Sequence, residues 1–248
     1  MLDALLAIST VAFIVAGAVV GVRLLRLAMR THELTDYIVA CSVLVLSPIT
    51  YPLILVGTLG NFSLDETKLL SSISTTLIMI GWTGVFIFTQ RVFRSGEMWA
   101  RVFVGVGIAV IWYDGAAGIA FIQAAPDRAA LQSPHSPLLW VQVAAIVVYA
   151  WSAFEGFRCW ALARRRLALG LADPLVVNRF LLWGFIGLSS LLSIVPSLVI
   201  SLSGGNGMTH VGSRLCTAIG GLSASIALQL AFLPPAGYRR WVEARAAA

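Results

Sequence analysis

Two acidic residues lie inside long apolar runs of this sequence and are the first candidates for chemistry. Asp114 follows Trp112 and Tyr113 in one run, and Glu155 lies in another. In a lipid environment an ionisable side chain costs several kcal/mol unless it is paired or faces a polar cavity. Each of the two carboxyl groups therefore needs a partner, a ligand or a proton pathway.

The neighbours of the two carboxyl groups differ. Arg158 lies three residues after Glu155, on the same face of a helix, so a local ion pair explains Glu155 without any function. Asp114 has no basic neighbour at helical spacing, and its face carries Gly107 and Gly118, which favour close helix contact. We expect Asp114 to face the interior of a bundle. It is either a structural carboxyl group that bonds other helices or a ligand or proton site, and the sequence leaves both open.

Polar and aromatic side chains at similar depth in other apolar runs are positioned to meet Asp114. Together with Trp112 and Tyr113 they form the predicted ligand-binding set, whose other members are Tyr51, Trp82, Tyr149, Ser189 and Ser193. Pro48, Pro52 and Pro196 are expected to kink two of the runs and free backbone carbonyls around a cavity. Serines and prolines also serve helix packing, which is the structural alternative.

No catalytic or metal-binding motif is present in the sequence. His32, His135 and His210 fall in predicted loops on opposite sides of the apolar runs and cannot converge on one metal. There is no nucleophile elbow, HExxH motif, phosphate-binding loop or paired carboxylate within a run. We therefore predict that the chain is not an enzyme and has no catalytic residue, metal site or cofactor.

The composition identifies the environment that must position these residues. Of 248 residues, 59% are hydrophobic and 11% are charged, whereas a soluble domain has roughly 25% charged residues. A helix that crosses a bilayer needs about 20 apolar residues. The runs of that length are Leu2–Leu25, Tyr37–Leu59, Leu69–Thr89, Val102–Gln123, Leu138–Ala161, Leu175–Leu202 and Leu215–Leu233. The prediction is an all-α integral membrane bundle of seven helices over residues 1–235, with a short amphipathic tail over 236–248.

Turn and capping residues mark the ends of these runs. Asp36 is placed to cap the second helix, and Asp173 precedes Pro174, a residue suited to a first helical turn. Pro234 and Pro235 close the seventh helix because neither donates a backbone hydrogen bond.

The basic residues predict the orientation in the membrane. Of the 17 Lys and Arg residues, 14 fall at one set of helix ends, and Lys68, Arg128 and Arg214 fall at the other. Lys and Arg are retained on the cytoplasmic side, so the N-terminus is predicted outside and the C-terminus in the cytoplasm, in an inner membrane. Membrane topology thus accounts for the net charge of +6. The predicted partner is the lipid bilayer, and no nucleic acid is expected to bind.

An internal repeat is a second topological prediction. The segment Gly21–Arg30 aligns with Gly156–Arg165 at a constant offset, with matches at Gly, Arg, Leu, Ala and Arg, and the second and sixth runs both end in Gly-Asn. Two parallel three-helix repeats joined by one helix would produce this pattern. Sequences rich in Leu, Ala, Gly and Arg also produce such matches by chance, so both explanations stay open.

Seven spans with an outer N-terminus resemble the topology of microbial rhodopsins. That resemblance implies a retinal lysine in the seventh helix, but the chain's one lysine is Lys68, at the outer end of the third span, so only the architecture can be shared. The stretch Gly170–Gly184 resembles one found in uncharacterised bacterial seven-span proteins, which implies no function.

A second resemblance is to the SWEET and PQ-loop sugar transporters, which have a three-plus-one-plus-three arrangement with hinge prolines. Prolines occur here in the second and sixth spans, but no Pro-Gln pair is present. Two functions are therefore predicted. The first is a receptor-like or sensory protein that binds a small apolar or amphipathic ligand and signals through a cytoplasmic or membrane partner protein. The alternative is a transporter of small solutes or a proton-coupled transporter.

Overall fold

The protein is described by a computed structural model over residues 1–131, 138–207 and 209–247, and its regular elements there are helices. They are α1 (Leu2–Thr31), α2 (Leu34–Leu44), α3 (Thr50–Leu59), α4 (Leu64–Phe93), α5 (Met98–Ala124), α6 (Arg128–Leu131), α7 (Leu138–Leu167), α8 (Pro174–Leu202), α9 (Val211–Phe232) and α10 (Ala236–Ala247). In these residues, seven segments are long and apolar enough to cross a membrane: α1, α2 with α3, α4, α5, α7, α8 and α9. The predicted seven-helix, all-α architecture is confirmed.

Several helices extend beyond the apolar runs that predicted them. α1 continues to Thr31, and α4 begins at Leu64 rather than Leu69. At the start of α4, the backbone N–H of Ser63 donates to Glu66 Oε2 at 2.7 Å, and the N–H of Glu66 donates to Ser63 Oγ at 3.3 Å. This capping box satisfies the first N–H groups of the helix. The first residue of α4 is therefore set by the cap and not by the edge of the hydrocarbon.

One predicted cap is confirmed and one is wrong. Asp173 Oδ1 accepts a hydrogen bond from the N–H of Leu175 at 2.7 Å, at the start of α8. Asp36 does not cap the second span, because α2 begins earlier and its N-cap is Glu33. Asp36 lies in the first turn, where it accepts a hydrogen bond from Thr31 Oγ1 at 2.9 Å.

The second span changes geometry at its first proline. A π-helical turn, Val45–Ile49, joins α2 to α3 and contains Pro48. Proline has no N–H to donate, and Thr50 Oγ1 donates to the Val45 carbonyl at 2.6 Å within this turn. Ser47 Oγ donates to the carbonyl of Phe13 in α1 at 2.6 Å, which ties the turn to the first span. α8, in contrast, is one continuous helix through Pro196.

The spans form a ring in chain order. Each span packs on the next one along the chain, α9 closes the ring on α1, and α4 also contacts α7 across the interior. The predicted duplication pairs α1 with α7, the second span (α2 with α3) with α8, and α4 with α9. The contact of α4 with α7 would then correspond to the contact of α9 with α1. These are the neighbours that a duplication requires, and the duplication stays a prediction.

Two clusters of buried side chains hold the ring together. One lies between α4, α5 and α7, around Phe86, Ile111 and Trp151, and the other surrounds Val20 and Trp183 where α1, α2, α4, α8 and α9 meet. Small residues let the helix backbones approach closely, since van der Waals contact replaces the hydrophobic effect between helices in lipid.

The tail forms the last helix and lies against α8. Tyr238 Oη donates to Asn178 Oδ1 at 3.2 Å, and Asn178 Nδ2 lies 3.0 Å from the same hydroxyl oxygen. Val242 is buried, while Trp241 is exposed with the guanidinium of Arg245 5.3 Å from its ring centroid. The residues of α10 therefore divide into a buried and an exposed face.

Candidate functional site

A cavity of about 300 Å³ lies between α1, α4, α7, α8 and α9. It is near the end of the bundle that holds the α8–α9 loop, which is the predicted outer end, since Gly207 of that loop borders it. Apolar walls come from Leu6, Trp82 and Ile194. The polar lining residues are Gln142, Ser193, Ser197, Ser213, Arg214 and Thr217. A space that combines apolar walls with a few polar groups is typical of small-molecule sites.

Four of the sequence-predicted residues lie at or next to this cavity. Trp82 and Ser193 line it, and Trp82 Nε1 donates to Tyr149 Oη at 3.2 Å. Ser193 Oγ donates to the backbone carbonyl of Ser189 at 3.1 Å, which places the buried Ser189 one turn deeper in α8. Tyr51 is half-buried and packs on Phe13, with ring centroids 5.0 Å apart.

The three predicted residues of α5 are not at the cavity. Tyr113 is 76% exposed and points away from the bundle, while Trp112 is 41% exposed and its indole N–H donates to Thr83 Oγ1 of α4 at 3.2 Å. Asp114 is partly exposed and forms no hydrogen bond or ion pair with any described residue, so the predicted bond to another helix is not formed. Placing this trio in a central pocket was wrong.

The position of α5 in the ring explains the correction. Within the described chain this helix packs mainly on α4 and α7, and in its seam with α4 Gly107 faces Phe86 and Gly115 faces Met79. Asp114 lies roughly 60° around the helix axis from the buried Ile111, because successive residues are about 100° apart. A glycine seam nearby therefore does not bring Asp114 into the interior.

Sequence reasoning missed five of the six polar lining residues: Arg214 and Thr217, and the three residues Gln142, Ser197 and Ser213. Gln142 lies near the start of α7, where a polar residue is expected at the bilayer edge. Serines in apolar helices are usually packing residues. No sequence signal separates these three from other polar residues at helix ends.

The described residues include neither a cluster of metal ligands nor a lysine in the bundle interior. No group of three His, Cys, Asp or Glu residues comes together among the described residues, and His135 lies outside them. Lys68 Nζ donates to the backbone carbonyl of Gln123 at 2.9 Å, at the predicted outer ends of α4 and α5. This lysine is remote from the bundle interior where a retinal Schiff base would lie.

We compared the chain with protein families, with characterised proteins and with solved structures. No match was found.

A buried ion network lies at the opposite end of the same helices. Glu155 is completely buried, and its carboxylate accepts from Arg94 Nε at 2.8 Å and from a guanidinium nitrogen of Arg158 at 3.3 Å. The predicted Glu155–Arg158 pair is confirmed. Arg94 was missed because it follows α4, 61 residues away in the chain.

Arg94 is shared with a second carboxylate. It donates to Glu97 at 2.7 Å, and Glu97 also accepts from the indole of Trp99. Burial by itself would lower the pKa of Arg94, but hydrogen bonds to Glu97 and Glu155 outweigh burial and raise it. The hydrogen bonds from Arg94 and Trp99 lower the pKa of Glu97 below its usual range. Arg94 and Glu97 are therefore both charged around neutral pH.

The cavity and the ion network are joined by one helix interface. Trp82 and Phe86 are one turn apart on α4, and Arg94 is the C-cap residue directly after this helix. The Phe86 ring packs edge-on against Trp151 of α7, with centroids 5.0 Å apart, one turn from Glu155. The α4–α7 interface therefore extends from the cavity to the Arg94–Glu155 contact.

Proposed function

We propose that this chain is a receptor-like or sensory membrane protein without enzymatic activity. It binds a small apolar or amphipathic ligand in the cavity at the outer end and signals through a separate partner protein at the cytoplasmic end. The membrane is a bacterial inner membrane, as the charge distribution predicts.

One observation carries this proposal: the cavity and the buried ion network share the α4–α7 interface. The cavity is bordered by Trp82 of α4, which is bonded to Tyr149 of α7, and the network ties Arg94, directly after α4, to Glu155 of α7. A ligand that binds one arrangement of these helices better than another shifts the population between them. The change would reach the cytoplasmic end as a rearranged ion network.

The cytoplasmic end offers surface for a partner. Arg164, Arg165 and Arg166 lie in the last turn of α7, and α10, which packs on α8, exposes Trp241. A basic surface favours an acidic partner or anionic lipid. This part of the proposal rests on charge alone.

Ligand binding is tested by thermal melting of the purified protein with a panel of small amphipathic molecules. We expect at least one compound to raise the Tm, because a ligand that binds only the folded state stabilises it. Ser193→Phe should remove the shift by filling the cavity. Leu192→Phe adds the same ring next to it on the lipid-facing side of α8 and should retain the shift. Equal shifts in both variants would contradict the cavity as the site.

Signalling is tested by the distance between spin labels at Arg91→Cys and Arg165→Cys, with Cys41, Cys159 and Cys216 replaced by Ser. Both labelled positions are exposed and flank the ion network. The compound found by melting should shift the distance distribution by about 1–2 Å or more, the usual size of helix shifts in switching proteins. An unchanged distribution with bound compound would contradict the sensory role.

Transport of a small solute or proton is the second candidate. The observation that favours it is the π-turn at Pro48, which interrupts the second span. The sixth span is continuous, but its Pro196 lies next to the cavity-lining Ser197. Prolines and π-turns are common hinges. Liposomes containing the protein separate the two functions, since a transporter would move the bound compound or protons across the membrane and a sensor would not.

A further inference from the structure

The chemistry of the cavity lining restricts the class of ligand. Two of its hydroxyls are already used within the bundle, because Ser193 Oγ donates to the Ser189 carbonyl and Thr217 Oγ1 donates to the Ser193 carbonyl at 3.2 Å. The hydroxyls of Ser197 and Ser213 form no hydrogen bond with another described residue. These two hydroxyls can both donate to and accept from a ligand.

Gln142 adds to the lining a hydrogen-bond acceptor that receives no hydrogen bond. Its Oε1 is buried and has no hydrogen-bond partner in the described part of the chain, although the residue borders the cavity. A buried carbonyl without a donor destabilises the protein, and a ligand that donates to it removes that penalty.

Charge is nearly absent from the lining. Its described residues include no carboxylate, and the one cation, Arg214, is held by an ion pair with Asp3 near the N-terminus. A carboxylate or phosphate ligand would have to compete with Asp3 for this guanidinium. An ammonium ligand would find no counter-ion and would be repelled by Arg214.

We infer that the cavity takes a small neutral amphipathic molecule with a hydroxyl or primary amide head group. The head group donates to Gln142 and bonds the hydroxyls of Ser197 and Ser213, while the apolar body lies against Trp82 and Leu6. This inference rests on the proposed function and adds the ligand class to it.

Four small fluorinated probes of one scaffold test the inference by ¹⁹F NMR titration of the protein in lipid nanodiscs. 4-Fluorobenzyl alcohol and 4-fluoroanisole are isomers, and only the alcohol donates a hydrogen bond. 4-Fluorobenzoate and 4-fluorobenzylammonium carry the two charges. The signal change with nanodiscs that contain the Ser193→Phe variant measures the partition of each probe into lipid. This contribution is subtracted from the signal change with the native protein.

The alcohol should bind about fivefold more tightly than the ether, the effect of one neutral hydrogen bond, and both charged probes should bind more weakly than the alcohol. In Gln142→Leu, which removes the acceptor at similar size, the alcohol should fall to the affinity of the ether. If that variant does not fold, the order of the four probes on the native protein decides.

Two results would overturn the inference in distinguishable ways. If the ether binds as tightly as the alcohol, or a charged probe binds most tightly, the ligand class is wrong while cavity binding stands. If no probe associates with the native protein more than with Ser193→Phe, the inference fails together with the cavity as a ligand site.

Discussion

Glu155 shows how burial decides the role of a single charge. Its carboxylate is fully buried and paired with two arginines, whereas the side chain of Glu97, on the same Arg94, is 42% exposed. Removing one member of a buried pair leaves an uncompensated charge, but an exposed partner is replaced by water. The two carboxylates are a matched pair for testing this difference.

We expect Glu155→Gln to lower the free energy of unfolding by on the order of 3 kcal/mol, because Arg94 and Arg158 lose their shared buried partner. Glu97→Gln should change it much less. Chemical denaturation of both variants in the same detergent measures the difference. Equal losses would mean that burial does not set the strength of this network.

At the scale of the helices, glycine decides how closely α7 and α8 approach. A Cβ atom on Gly156 would lie 2.6 Å from the backbone nitrogen of Gly184 in the facing helix. A backbone atom cannot move aside as a flexible side chain can, so the helices would have to separate or slide. These two glycines therefore hold α7 and α8 together beside the ion network, at the end opposite to the cavity.

Gly156→Ala should destabilise the protein by about 1–3 kcal/mol, the usual cost of overpacking. Gly105→Ala is the control, since a Cβ atom at that glycine of α5 meets nothing within 4 Å. The control should be neutral or stabilising by up to about 1 kcal/mol, because alanine is the better helix former. Melting curves that do not separate the two variants would show that the α7–α8 interface adapts to the extra methyl group.

At the scale of the whole molecule, the seven spans alternate so that the basic ends of α1, α4 and α7 and the helix α10 should share one side. The split of 14 to 3 basic residues predicts that this side is cytoplasmic. A tag after Ala248 should be digested only when the cytoplasmic face is accessible, and a tag within 124–137 only from outside. Protection of both tags from the same side would contradict the seven-span topology.

Sequence alone was sufficient for the properties that depend on local physics. The length of each apolar run predicted seven spans, the Asp173 side chain predicted a cap, and the spacing of three residues predicted the Glu155–Arg158 pair. Each depends on residues within a turn or on transfer into hydrocarbon, both of which can be read without a partner element.

Only the tertiary structure decided which residues face one another. In lipid, the outer and inner faces of a helix are both apolar, so hydrophobic periodicity does not distinguish Asp114, beside a peripheral seam, from Trp82, at a cavity. The Arg94–Glu155 contact and the meeting of Gln142 with Ser197 and Ser213 depend on how α4, α7, α8 and α9 pack. Helix packing in the membrane depends on small residues and shape complementarity between distant segments, and a single sequence does not specify which segments those are.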